Sequence, residues 1–132
     1  MSFSILVVDD SPLIRKMMKR SLGLSKLDVG LVFEATNGQE ALAVLQKEWV
    51  DVVLADIHMP VMSGTQLIET MSKDEMLRHI PVVVVSAERS QPAIAYLKTL
   101  GICAHLTKPF TPEEVLAAVT AILAEAGERR AS

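Results

Sequence analysis

Five side chains in this 132-residue chain could share one piece of chemistry, and each follows an apolar run. Asp9 and Asp10 follow "SILVV", Asp56 follows "DVVLA", Ser86 follows "IPVVVV", and Lys108 follows the weaker "ICAHL" by way of Thr107. Singly, each has an ordinary explanation. Paired aspartates before a helix suit the positive end of its dipole. An aspartate after a strand suits a turn, a serine a helix cap, and a lysine solvent. Together they are three carboxylates, a hydroxyl and an ammonium. Three ionised carboxylates within about 4–6 Å repel, and one pKa rises unless a cation intervenes. Hard oxygen ligands with room for water suit Mg²⁺, or Mn²⁺ in its place. In formal charge a divalent ion and Lys108 balance the three acids. An aspartate in such a site accepts a phosphoryl group at modest electrostatic cost, and carboxylates are competent nucleophiles for it. A glycine-rich phosphate loop is absent, which excludes dinucleotide and P-loop readings. His58, His79 and His105 lack the spacing of zinc ligands.

Such residues meet only if the elements carrying them are aligned. Apolar runs at 4–8, 29–33, 51–55 and 80–85, with a weaker one at 102–106, read as short buried strands. Helical spacing separates them. The first helix puts Leu13, Ile14, Met17, Met18, Ser21 and Leu22 on one face, with Ser11 as N-cap, Pro12 first and Gly23 as stop. The second, "NGQEALAVLQKEW", stacks Ala41, Leu42, Leu45 and Trp49, which places Trp49 remote from the acids. The third carries Leu67, Ile68 and Met71, and the fourth spaces Ala93, Leu97 and Leu100. The fifth opens at Thr111-Pro112 with Glu114 closing a capping box, aligns Val115, Leu116, Val119, Ile122 and Leu123, and stops at Gly127. Met17, Met18 and Met71 read as core filler. Strand and helix alternate five times, which predicts an α/β fold: a doubly wound parallel sheet with helices on both faces. In such a sheet ligands bind beyond the carboxyl ends of the strands, where all five residues fall. Residues 1–126 form the domain and 127–132 a loose tail, with no linker or repeat.

Composition narrows the classes. Half of the residues are hydrophobic, as a sheet covered on both faces requires. A net charge of −3, with no basic patch beyond the short "GERR", gives no drive toward nucleic acid or an anionic membrane. A single cysteine, Cys103, excludes an internal disulfide and fits a reducing compartment. The four apolar residues before Asp9 are too few for a signal-peptide core, and no run approaches a membrane span. A cytoplasmic protein is expected.

Asp9-Asp10, "ATNGQEAL" (35–42), "ADIHMPVMSG", "VVVVSA" and "TKPF" resemble, in order, the receiver domain of two-component response regulators, over roughly residues 3 to 126. The resemblance implies a flavodoxin-like sheet of strand order 2-1-3-4-5 with five helices, an order taken over from the family. It implies that Asp56 is the phosphoacceptor and that Asp10 binds Mg²⁺ directly and Asp9 through water. The main-chain carbonyl of His58 would be a further ligand. Lys108 would contact the phosphate, its bond to Pro109 being a cis candidate, and Ser86 would move toward the phosphate as a switch. Three positions depart from or individualise the pattern. His105 stands where the family has tyrosine or phenylalanine as the second switch residue; it is expected to keep that role with a pH-dependent charge. His58 and Glu88 occupy positions that tune phosphate lifetime.

The resemblance further implies a phosphohistidine donor, on a sensor histidine kinase or a histidine phosphotransfer protein, with acetyl phosphate as a small-molecule source. The signal would leave through helix 4, strand 5 and helix 5, roughly residues 90–100, 102–107 and 112–126, to an effector the sequence does not name. The chain is expected to be a monomer or weak dimer that assists its own phosphorylation and dephosphorylation and is not a turnover enzyme. The alternative is a docking or dimerisation module of the same fold that does not cycle phosphate.

Overall fold

The computed structural model describes residues 2–24 and 28–131, with side chains described as far as residue 125. Strands and helices alternate as β1 (Phe3–Val8), α1 (Pro12–Gly23), β2 (Val29–Ala35), α2 (Gly38–Lys47), β3 (Val52–Ala55), α3 (Gly64–Lys73), β4 (Val82–Ser86), α4 (Gln91–Thr99), β5 (Ala104–Thr107) and α5 (Pro112–Ala131). All four strand pairings are parallel, and the order is β2-β1-β3-β4-β5. The expected fold is therefore the observed one. Among the described residues no helix is long and apolar enough to cross a membrane.

Alternation along the central strands builds two cores. Leu6, Val8, Val53, Ala55, Val82 and Val84 pack with α2 and α3 residues such as Ala41, Leu67 and Met71. Ile5, Val7, Val52, Leu54, Val83 and Val85 pack with Met18 and Leu22 of α1 and Val115, Val119 and Leu123 of α5. Both faces of β1, β3 and β4 are thus dry, which explains their unbroken apolar runs. The caps form as the side chains dictate. Ser11 accepts from the Ile14 N–H, and Thr111 and Glu114 satisfy each other's backbone N–H groups at 2.9 and 3.2 Å.

Three expectations need correction. Leu13 and Met17 belong to the apolar stripe of α1, yet they are 65% and 40% exposed while Met18 and Leu22 are buried. The stripe is wider than the face that docks, so its outer edge stays in water and Met17 is not core filler. Trp49 is not on α2. The helix closes at Glu48, whose backbone is extended, and Trp49 points outward with its indole N–H on Asp51 at 3.1 Å. Burial of Val50 and Val52 at the entry to β3 decides this turn. Finally, α5 runs through Gly127 to Ala131. One interior glycine costs a helix only about 1 kcal/mol, and its Ala, Glu and Arg neighbours favour continuation.

Candidate functional site

β1 and β3 are neighbours, in a register that pairs Val8 with Ala55. The next residue on each strand is an acid, so the sheet itself sets Asp9 beside Asp56. Oxygens of Asp9, Asp10 and Asp56 lie within 4.8 Å of one another, and no other such group of possible metal ligands occurs among the described residues. Asp9 and Asp56 are 1% and 6% exposed, whereas Asp10 is open to solvent. The Lys108 ammonium reaches across from the end of β5, 2.7 Å from Asp9 Oδ2 and 3.2 Å from Asp56 Oδ2. The Lys108–Pro109 peptide is cis.

Two buried carboxylates and one ammonium are not balanced, and the third acid adds to the excess. Burial pushes the Asp9 carboxyl up, and the nearby Asp56 charge adds to it, against the bonds from Lys108 and Ser11 that pull it down. Burial acts to lower the Lys108 ammonium, but the bond to Asp9 and the charges of both acids outweigh it and leave its pKa raised. Both pKa values are therefore raised: burial disfavours the ionised form of Asp9, while the two acids favour the charged form of Lys108. A second cation would relieve the excess. Three carboxylates with an exposed member on the solvent side are the donor set a hard divalent ion takes.

The loop after β3 is tightly made. The Ile57 N–H donates to Asp56 Oδ1 at 2.7 Å, and Gly64 N–H to Ile57 O at 2.8 Å. A Cβ at Gly64 would lie 1.9 Å from the Asp56 main-chain oxygen, so only glycine lets α3 begin against the acid. Between them the Met62 N–H bonds Pro60 O at 2.7 Å across Val61, whose φ of 68° makes a γ-turn. That conformation is strained for a β-branched residue.

A family model, the response regulator receiver domain, matches residues 5–120. The chain belongs to that family. It is 34% identical over 113 residues to the chemotaxis protein CheY-3 of Vibrio cholerae, covering 83% of each chain. It is 37% identical over 120 residues to the protein PilH of Pseudomonas aeruginosa, covering 91% of this chain and 97% of PilH. Among solved structures it resembles the chemotaxis response regulator CheY4 of Vibrio cholerae, with a TM-score of 0.82 at 31% identity over 92% of this chain and 99% of that one.

The remaining site residues of this receiver fall into two groups. Ser86 is fully buried at the tip of β4, its hydroxyl accepting from the Glu88 N–H at 3.2 Å and its carbonyl from the Lys108 N–H at 2.9 Å. His58 and Glu88 meet at 3.2 Å, bridging the loops after β3 and β4. Sequence had singled out both residues without pairing them. His105 stands apart from the acids. Its neighbours Ala104 and Leu106 pack toward α5, so its side chain faces the α4 side of the sheet. There Nε2 is buried without a hydrogen-bond partner among the described residues. His79 lies beside Arg78, at the opposite end of β4, and joins no site.

Four contributors went unread in the sequence. Arg15 Nη1 donates to the Asp9 carbonyl at 2.7 Å, and its Nε to Glu34 Oε1 at 3.0 Å. Arg89 reaches the Lys108 carbonyl at 3.4 Å. Gly64 was quoted as part of a loop with no task of its own. For Arg15 a signal existed: it lies one turn after the Ser11 cap and so overhangs the end of β1.

Proposed function

We propose that this receiver accepts a phosphoryl group on Asp56 from a phosphohistidine donor in a Mg²⁺-dependent reaction and thereby changes its protein contacts. The observation that carries this reading is the meeting of three carboxylates within 4.8 Å, two of them bonded by one ammonium. Asp9, Asp10 and Asp56, with the His58 carbonyl, would hold Mg²⁺ or Mn²⁺; when bound, the ion offsets charge on the transferring oxygens.

The protein's own groups do the rest. A carboxylate oxygen of Asp56 attacks phosphorus, the P–N bond of the donor breaks, and its electron pair stays on the departing imidazole. The Ile57 N–H holds Asp56 Oδ1, which leaves Oδ2, on the Lys108 side, as the attacking atom. Lys108 then stabilises the phosphoryl oxygens, and the Ser86 hydroxyl offers them a donor once it leaves the Glu88 N–H. Water ends the phosphorylated state by attacking the same phosphorus: the bond from phosphorus to the Asp56 oxygen breaks, the carboxylate is restored and inorganic phosphate leaves. The His58–Glu88 pair joins the loop that follows Asp56 to the loop after β4, so it tunes that approach and the phosphate lifetime. The chain is a phosphoacceptor that assists its own phosphorylation and dephosphorylation, and is not a turnover enzyme. Its partners are a sensor histidine kinase or histidine phosphotransfer protein in the cytoplasm and a downstream effector.

Beryllofluoride, a stand-in for the phosphoryl group, tests this directly. With Mg²⁺ it should shift NMR resonances around Asp56, Ser86 and α4 in the wild type and none in Asp56→Ala. An unchanged wild-type spectrum, or equal shifts in both, refutes phosphoryl acceptance; effector binding that ignores Asp56→Ala under phosphorylating conditions supports the docking module.

A further inference from the structure

Asp10 differs from the other acids of the cluster. The carboxylates of Asp9 and Asp56 are buried and hydrogen-bonded. The Asp10 carboxylate is exposed and makes no hydrogen bond among the described residues, yet it points into the cluster. With no hydrogen bond to the carboxylate among the described residues, what places it is the backbone, which sets the direction of its Cα–Cβ bond.

The peptide that carries it joins Asp9 to Asp10. The carbonyl of that peptide accepts the Arg15 Nη1–H at 2.7 Å. Beyond Asp10, the Ser11 N–H bonds back to Asp9 Oδ1 at 2.9 Å, and the Asp9 N–H bonds Ala35 O at 3.1 Å. The guanidinium cannot easily swing away. Its side chain is 14% exposed, and Nε is held by Glu34 of β2 at 3.0 Å. Lys19, one turn further along α1, holds the other Glu34 oxygen at 3.1 Å.

We propose that Arg15, oriented by Glu34, is a positioning residue for the divalent-ion site: it fixes the Asp9–Asp10 peptide plane and hence the direction of the Asp10 carboxylate. The inference rests on the metal-dependent reading above. Lysine cannot substitute, because a point charge on a flexible stem cannot serve a carbonyl and a carboxylate with two fixed nitrogens at once. Groups that orient metal ligands typically change affinity by about 10–100-fold when removed.

The sign of the effect separates positioning from charge. If Arg15 mattered only as a cation near an acidic cluster, removing it would tighten Mg²⁺ binding. Loss of positioning weakens it. The test is calorimetric Mg²⁺ titration of the full chain for wild type, Asp10→Asn, Arg15→Lys, Arg15→Met, Glu34→Gln and the Arg15→Met/Glu34→Gln double variant, with the melting temperature of each in EDTA. Both Arg15 variants should weaken binding roughly tenfold, and Glu34→Gln a few-fold. The double variant should be no weaker than Arg15→Met, because Glu34 acts through the arginine. Unchanged or tighter binding by Arg15→Met overturns the proposal, as does wild-type affinity in Arg15→Lys or a lowered melting temperature with affinity intact. Should Arg15→Met fail to fold, Arg15→Lys and Glu34→Gln decide by the same criteria. A wild type without saturable Mg²⁺ binding, or an Asp10→Asn equal to it, instead refutes the metal-dependent reading and takes the inference with it.

Discussion

The acidic ends of β1 and β3 and the edge made by α4 and β5 belong to one sheet but are held in opposite ways. At the acids nearly every polar group is tied: Asp9 by Ala35, Ser11, Arg15 and Lys108, Asp56 by Val8, Ile57 and Lys108. α3, which starts against Asp56, buries Gly64, Leu67, Ile68 and Met71. α4 buries Leu97 alone and lies on the side of the sheet where a ring nitrogen of His105 has no partner among the described residues. Its lateral tie is the hydrogen bond from the Tyr96 hydroxyl to Glu69 of α3. A site that must hold charges in fixed geometry is over-determined, while the edge proposed to carry the signal is under-packed. A modest change at the first can therefore bias the second between two arrangements.

This contrast can be broken by substitution. The largest effect is expected from Gly64→Ala. The added methyl meets the Asp56 backbone, which cannot move without moving the acid, so the cost should be about 3 kcal/mol or more in denaturant unfolding. A Gly64→Ala protein of wild-type stability would show that the loop after β3 is not rigid. Leucine truncation compares the two regions directly. Leu67→Ala in α3 should fall toward the upper end of the ~2–5 kcal/mol range for such cavities, and Leu97→Ala toward the lower end, because a lightly packed helix collapses into the space. Equal losses would remove the distinction.

His105 gives a smaller effect with a definite pH dependence. Burial lowers its pKa, Lys98 acts in the same direction, and Glu88 opposes them. The folded state thus disfavours the proton. Its contribution to stability is complete above the ordinary value of 6.5 and is lost as pH falls from there through the lowered folded value. His105→Phe should flatten the stability profile below that point. Relieved of an unsatisfied buried nitrogen, it should also gain about 1 kcal/mol at pH 7.5, roughly 3–5 °C in melting temperature. An unchanged slope would mean that the ring protonates without leaving its site. Smallest is Tyr96→Phe, expected to leave global stability nearly unchanged because the bond is exposed. Its signature is faster amide exchange confined to α4; exchange that rises equally in α3 would refute a tie specific to α4.

Much of this was legible in the chain because it rests on local rules. Continuous apolar runs, the Ser11 and Thr111 caps and the residue closing each strand follow from side-chain chemistry within a few positions. The failures have a common cause. Leu13 and Met17 satisfy helical periodicity, but which edge of a wide stripe docks depends on the sheet beneath it. Trp49 continued a helical pattern that the need to bury Val50 cut short. Gly127 looked like a stop, yet a helix tolerates one glycine among good formers.

By itself the sequence determined five strands and five helices, the acids and Lys108 at the strand ends, and kinship with receivers through motifs in fixed order. Those features are one-dimensional, since a strand's last residue is its last residue in any fold. Only the tertiary structure decided that Arg15 joins the Asp9–Asp10 peptide to Glu34, that His58 meets Glu88, and that His105 keeps a nitrogen without a partner among the described residues. Each of these joins groups far apart in the chain, and no local preference encodes which side chains the parallel register and helix docking bring within hydrogen-bonding distance.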